Sequence, residues 1–370
     1  MRALLLSQAY ADPASRGKLK ALAGRGVTVV AAVPDRWVPP GLPSPQKTVW
    51  GDDGGVKTVP IAVRGPVGAG ADPAWNAGAL RRLVTDFRPE IIQIEEEPWT
   101  AAAATGARVA RKQRIPYLVL ARESVAVPHG LRAGYRRSRV LATAAGLIGV
   151  NQLAVRIAGR NHTSLRTRVI PQLGVGLPLS SQRPTIGGLS VGFFGRLVPE
   201  KGLDLLFRAA VKLIGRWTIT VVGTGSAQEE LEGLAERLGI AGRVTWLGAL
   251  PHARVQEVWA RIDCVALPSR TAARWVEVAP RAALEGMAHG LPIVASASGA
   301  LPEIIGGGGT IVAEEDVASL TAALQLYHDQ PAERARLGAI GRRRIMDEYT
   351  DSAIAEKTLA FWREATNASG

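Results

Sequence analysis

The chain has 370 residues, 47% hydrophobic and 21% charged, with a formal net charge of +13. That length suggests two domains, and the apolar fraction excludes a disordered chain. A single cysteine, Cys264, excludes an internal disulfide and a cysteine-ligated zinc, which points to a reducing compartment. No apolar run approaches the roughly 20 residues of a membrane-spanning helix. The opening stretch, 1–7, is too brief for a signal-peptide core and reads as a buried strand, so the expectation is a cytoplasmic protein without a span. Residues 1–180 hold 25 Lys/Arg against 11 Asp/Glu, whereas residues 181–370 hold 20 against 21. The positive excess therefore sits in the first half. It suits an anionic partner (a phosphorylated acceptor, the acidic inner face of a membrane, or nucleic acid) or simply solubility in an Arg-rich protein.

In chain order, brief apolar runs predict strands over 3–6, 27–32, 91–94, 117–121 and 146–150, with helices over 79–87 and 100–114 between them. Pro89 and Pro116 close those helices. A Gly/Pro/Ser-rich passage over 174–188 reads as an interdomain linker. The second half repeats the alternation, with strands over 190–194, 218–222, 243–247, 264–267 and 292–295, and ends in a helix from 351 to about 365. Two successive βα arrays predict an α/β protein of two Rossmann-like, doubly wound domains facing across a cleft. The expected domains are 1–175 and 188–350, with 351–370 crossing back to the first. In such sheets, ligands bind beyond the carboxyl ends of the strands.

Three segments of the first half draw attention. Arg16 and Lys18 flank Gly17 where a helix begins after the first strand; they suit either an anionic ligand or solvent. Glu95, Glu96 and Glu97 follow the strand 91–94, and Glu123 follows 117–121, each where a site on this sheet would open. They suit hydroxyl recognition or a solvated acidic loop. The stretch 131–141 mixes arginines with apolar residues at helical spacing. It reads as a basic helix lying on anionic lipid, or as a helix with one buried stripe and a solvated basic face.

The second half carries the denser pattern. Gly195, Arg196 and Lys201 form a strand-to-helix turn whose cations can neutralise a diphosphate. Gly223 and Gly225 bracket the turn after the next strand. Glu277 lies in a loop, and Glu285 stands eight positions on in a helix. Gly299, Ala300 and Leu301 open a further helix, where backbone N–H groups favour anions.

With these segments in this order, residues 190–305 resemble the family 4 glycosyltransferases, the retaining, nucleotide-sugar-dependent group 1 enzymes of GT-B fold. The resemblance implies that Arg196 and Lys201 bind the donor diphosphate, that Glu285 binds the ribose and that Glu277 faces the transferred hexose. It places Arg281, Gly195, Gly223, Gly225, Gly299, Ala300 and Leu301 around the donor. It also assigns acceptor binding to the first domain, where Arg16, Gly17, Lys18, Glu96 and Glu123 are the candidates. The donor expected is UDP- or GDP-linked, the acceptor a hydroxyl, anionic or lipid-linked, and peripheral contact with an anionic membrane is a further expectation.

Some positions depart from the family. Val278, Ala279 and Pro280 stand where many relatives have Gln, Phe and Gly, which bears on the sugar. Ala300 replaces a common glycine, and the family's sugar-side histidine has no counterpart, since His129 and His162 fit poorly by position. With no Asp-x-Asp and no metal-spaced cluster, the chemistry expected is metal-independent and without a cofactor. Two alternatives stay open: a nucleotide-sugar epimerase of the same fold, and a basic nucleic-acid-binding protein. The latter lacks interleaved aromatics and any recognition motif, so no nucleic acid is expected.

Overall fold

The structure, a computed structural model, describes residues 1–38, 44–68, 71–178 and 187–367. Of the expected linker, 179–186 lies outside the described residues, as do 368–370 of the expected closing segment. The chain forms two compact units. The first comprises Met1–Gly174 with the helix Asp351–Asn367, and the second comprises Val175–Thr350.

The strands of the first unit are β1 (Arg2–Leu6), β2 (Thr28–Pro34), β3 (Gly51–Asp53), β4 (Val56–Ile61), β5 (Ile91–Ile94), β6 (Tyr117–Ala121), β7 (Gly146–Gly149) and β8 (Thr167–Val169). Among the described residues they form one sheet in the order β8-β7-β6-β5-β1-β2-β4-β3. All neighbours are parallel except the edge pair β3–β4. The order reverses between β1 and β5, the switch point of a doubly wound sheet, so a ligand crevice opens beyond Leu6 and Ile94. Helices α1 (Gly17–Ala23), α2 (Ala77–Phe87), α3 (Ala101–Lys112), α4 (Leu131–Leu141) and α5 (Gln152–Gly159) cover it. Three of them start at a side-chain cap: Asn76, Thr100 and Asn151 accept from Ala79, Ala103 and Ala154 N–H at 3.0, 3.1 and 2.8 Å. Gly106 lets α3 lie close on the sheet, because a Cβ there would come within 2.7 Å of Leu6 Cδ1.

In the second unit, α6 (Leu203–Ala210), α7 (Gln228–Arg237), α8 (His252–Trp259), α9 (Arg281–Ala288), α10 (Leu301–Ile305), α11 (Val317–Asp329) and α12 (Pro331–Glu348) surround a six-stranded sheet. Its strands are β9 (Leu189–Phe194), β10 (Trp217–Val222), β11 (Val244–Trp246), β12 (Cys264–Leu267), β13 (Ile293–Ser296) and β14 (Gly309–Val312), all parallel, ordered β11-β10-β9-β12-β13-β14. Counted within the unit, that is the 3-2-1-4-5-6 order of dinucleotide-binding folds, with the switch point between β9 and β12. Val191, Phe193, Cys264, Val265, Ile293 and Val294 are buried, as expected where helices cover both faces.

Helix α13 (Asp351–Asn367) completes the first unit. Trp362 is fully buried, and its Nε1 donates to Gln93 Oε1 at 2.7 Å. Phe361 packs against Gly146, where a Cβ would sit 2.6 Å from its ring. Four of the strands lay outside the sequence expectation, the first being the three-residue polar edge β3. β4 contains Lys57 and Pro60, β8 is a three-residue edge, and β14 opens on glycine, so none reads as an apolar run. No helix among the described residues is long and apolar enough to cross a membrane.

Candidate functional site

The carboxyl ends of β9 and β12 in the second unit bring together the residues with the most evident chemistry. After Phe194, the chain turns through Gly195 and Arg196 into a short 3-10 turn, Pro199–Lys201, and then Gly202 adopts φ +68°. A side chain at Gly202 would overlap the Pro268 carbonyl, so glycine is required for α6 to start there. This turn aims Lys201 at the end of β12. Its Nζ lies 2.6 Å from Glu277 Oε1 and 5.1 Å from the Trp275 ring centroid. Ser269 Oγ donates to the same Glu277 oxygen at 2.7 Å. Glu277 is 4% exposed, yet its charge is matched by Lys201 and its position fixed by Ser269. Arg196 is exposed at the rim and makes no ion pair among the described residues.

The loop carrying Glu277 is braced from behind. Ala300 N–H donates to the Glu277 carbonyl at 2.7 Å, and Gly299 sits at φ +55° where a Cβ would overlap that carbonyl, so the position requires glycine. This revises the reading of Ala300 and Leu301 as phosphate ligands: Ala300 N–H is spent on Glu277, and Leu301 N–H donates to Ser298 O at 3.1 Å. Both side chains are buried. Gly223 and Gly225 also have backbone neighbours, since a Cβ on either would overlap the carbonyl of Gly195 or Leu197. Their structural task is to let two strand-end turns touch.

Glu285 is engaged differently. Arg281, one turn earlier on α9, places Nε 3.0 Å and Nη2 2.9 Å from Glu285 Oε1. Both line a cavity of about 220 Å³ with Val175–Pro178, Gln256 and His289. The two glutamates are thus held by different cations, one near the sheet and one at the helix surface. Sequence reasoning missed Ser269 and Trp275. Their positions, two residues past β12 and two residues before Glu277, were the available signals.

In the first unit, Glu95 is fully buried and receives Tyr10 Oη at 2.9 Å, Gln93 Nε2 at 2.7 Å and Lys18 Nζ at 2.6 Å on one oxygen. Gln172 Nε2 donates to the other at 3.0 Å. Lys18 is 1% exposed. Arg16 is also buried: its Nε donates to Tyr10 O at 2.9 Å, and its Nη1 lies 3.8 Å from Asp53 Oδ2. The reading of Arg16 and Lys18 as acceptor ligands is therefore corrected, because both cations are consumed inside the unit. Gly17 lies against Asp351, whose carboxylate a Cβ would overlap.

Glu96 and Glu123 remain at the carboxyl ends of β5 and β6. Gln8 donates to Glu96 through its backbone N–H and Nε2, each at 3.1 Å. Glu97 accepts Arg122 and Glu123 N–H at 2.7 and 3.0 Å, which fixes the following turn. Glu123 meets His129 Nε2 at 3.0 Å, and that ring packs on Trp99 at 4.8 Å between centroids. The histidine set aside by sequence position therefore stands beside an acceptor candidate.

Burial pushes the Glu96 carboxyl up to about 7, against the lowering pull of Arg122 and of the Gln8 hydrogen bonds. A raised carboxyl favours its protonated form in the folded state. Its stabilising contribution is present at low pH and is lost as pH climbs from about 4.5, its ordinary value, to about 7. Relative to Glu96→Gln, the unmodified protein should lose about 1.4 kcal/mol per pH unit across that window. Denaturant titrations at several pH values read this directly, and parallel curves for the two proteins would rule it out.

Among the described residues, no three His, Cys, Asp or Glu side chains are grouped to hold a metal ion. Residues 187–344 match the family model described as glycosyl transferases group 1. A GDP-mannose-dependent alpha-(1-6)-phosphatidylinositol monomannoside mannosyltransferase from Mycolicibacterium smegmatis is 33% identical over 213 residues, covering 55% of this chain and 53% of that protein. The chain spans about half the length of the curated relatives it matches first. The fold is similar to the sucrose-phosphate synthase of Thermosynechococcus elongatus, with TM-score 0.72 and 21% identity over 100% of both chains. It is also similar to Anabaena HepE in complex with UDP, with TM-score 0.73 and 18% identity over 98% of this chain and 100% of that one.

Proposed function

Because residues 187–344 belong to the glycosyl transferases group 1 family, in a chain with the paired Rossmann-like units of the GT-B fold, we propose that this protein is a retaining, metal-independent glycosyltransferase. It moves a hexosyl group from a nucleoside diphosphate sugar to an acceptor hydroxyl. The observation that carries this reading is the Lys201–Glu277–Ser269 cluster at the switch point of the second sheet. There, Lys201 and Arg196 meet the diphosphate as its charge develops, and fixed cations act most strongly on charge that appears in the transition state. Glu277 presents its carboxylate to the hexose while holding Lys201 in place. Glu285 takes the ribose hydroxyls, exchanging part of its contact with Arg281 for them. The leaving diphosphate receives the acceptor proton in a front-face displacement, so the configuration at the anomeric carbon is kept.

The mannosyltransferase relative uses GDP-mannose, and HepE was solved with UDP, which supports a GDP- or UDP-linked hexose as donor. The acceptor is assigned to the first unit, with Glu96 and Glu123 at the strand ends and Gly17 at the head of α1. The positive balance of residues 1–180 favours an acceptor that is anionic or lipid-linked, met by a cytoplasmic enzyme at the inner face of the membrane.

A thermal-shift series with UDP, GDP, ADP and their hexose conjugates, without added metal, tests the donor reading. A ligand that binds only the folded state raises the melting temperature, by about 2.7 kcal/mol of stabilisation at a hundredfold excess over Kd. The expected result is a shift with one nucleoside diphosphate that disappears in Lys201→Ala and in Glu285→Ala. A shift that survives both substitutions would remove the donor site from this position.

A further inference from the structure

The arginines of α4 fall into two groups with different tasks. Arg136 reaches Asp72 at 2.9 Å, and Arg137 donates to the carbonyls of Ile157 and Ala158. These two fasten the helix to the unit, together with buried Val140 and Leu141. Arg132 and Arg139 point outward instead, and Arg108 and Arg111 of α3 are exposed next to them. None of these four has a carboxylate partner among the described residues. Neither helix contains an Asp or Glu, and Asp72, which reaches both, is already used by Arg136 and by the Ala101 N–H at 2.7 Å. Between the helices lies a cavity of about 320 Å³ lined by Arg108, Arg111, Tyr135, Arg136 and Arg139.

Two apolar side chains share the outward face of α4. Leu131 is 95% exposed and Tyr135 63% exposed, one helical turn apart. Tyr135 Oη accepts from Arg139 Nη1 at 3.1 Å, which holds one guanidinium beside the ring. A solvated basic face would not explain an almost fully exposed leucine at the head of the helix. A surface with a phosphate plane above an apolar phase matches every part of the arrangement: the four arginines meet phosphates, the cavity admits a headgroup, and Leu131 and Tyr135 enter the acyl boundary.

We propose that the outward face of α3 and α4 docks on an anionic lipid bilayer through Arg108, Arg111, Arg132 and Arg139, with Leu131 and Tyr135 inserted. This rests on the reading of the first half as the side facing an anionic partner, and not on glycosyl transfer itself. It deepens that reading by naming the surface and separating its arginines from those that hold the fold.

Co-sedimentation of the full chain with vesicles tests it. Binding is expected to phosphatidylcholine vesicles containing phosphatidylglycerol, to weaken steeply with added salt, and to be absent on phosphatidylcholine alone. A cation near such a surface contributes roughly fivefold in partitioning, so Arg108→Glu with Arg139→Glu should weaken binding by at least about 25-fold. Leu131→Ser should weaken it severalfold on the same vesicles, an effect that charge attraction alone would not produce. Circular dichroism and the nucleotide-induced thermal shift should be unchanged in these variants, which separates loss of docking from loss of fold or donor site. Equal binding to both vesicle types, or unchanged binding in the double variant, overturns the proposal. Release of the protein from vesicles by millimolar glycerol phosphate would overturn it too, by assigning the cavity to a small soluble phosphate.

Discussion

Replacing Lys201 with alanine should lower turnover by about 10²–10³-fold, the usual consequence of removing one fixed charge from a developing anion. The same substitution should also lower the melting temperature. Glu277 is 4% exposed, and without Lys201 its carboxylate keeps only the Ser269 hydroxyl among the side-chain contacts described above. A buried charge stripped of its partner costs several kcal/mol. Arg196→Ala provides the contrast: that side chain is exposed and makes no ion pair among the described residues, so activity should fall with the melting temperature nearly unchanged. Initial rates and calorimetry on both variants check the pair. Full turnover in Lys201→Ala would remove the cation from the mechanism.

A larger stability effect is expected in the first unit. Lys18→Met should destabilise it by about 3–5 kcal/mol, because the fully buried Glu95 carboxyl would lose the one cation paired with it in the interior. Glu95 would still accept from Tyr10, Gln93 and Gln172, which places the loss towards the lower end. The double variant Lys18→Met with Glu95→Gln should recover most of the deficit, since no uncompensated charge remains. Melting curves of the three proteins give the comparison. A double variant no better than the single one would show that the network, and not the charge, carries the stability.

The parts of the fold readable from sequence were those whose residues are buried on both sides. β1, β5, β6, β9, β12 and β13 are short, mostly apolar runs and could be placed from them alone, and β10 was placed although its Thr218 is exposed. β4 could not, because Lys57 is exposed and Pro60 interrupts the pattern. In the second unit, the order of glycines, cations and glutamates along the chain pointed to one locality, and the structure pairs Lys201 with Glu277 across 76 positions. Spacing alone cannot reveal what satisfies a charge. Arg16 and Lys18 beside a glycine look like an anion site when read locally, but Lys18 is answered by Glu95, 77 residues away. Likewise, an N–H at a helix start looks available for phosphate until Glu277 O is found accepting from Ala300. His129 fits poorly by sequence position, yet the loop after β6 brings its ring to Glu123.

The membership of α13 reverses the usual order in which a growing chain acquires structure. Domains commonly fold as they emerge, the earliest segment first. Here the second unit is a single continuous segment whose two ends meet, Val175 N–H donating to Tyr349 O at 3.0 Å, so it is complete once residue 350 has emerged. The first unit must wait for Trp362 and Phe361, which are 0% and 1% exposed in its interior. Until they arrive, Gln93 lacks the indole it accepts from and the sheet beside Gly146 lacks its cover. The half of the chain made first is thus the half finished last, and during synthesis it would present bare apolar surface to chaperones while its neighbour is already folded.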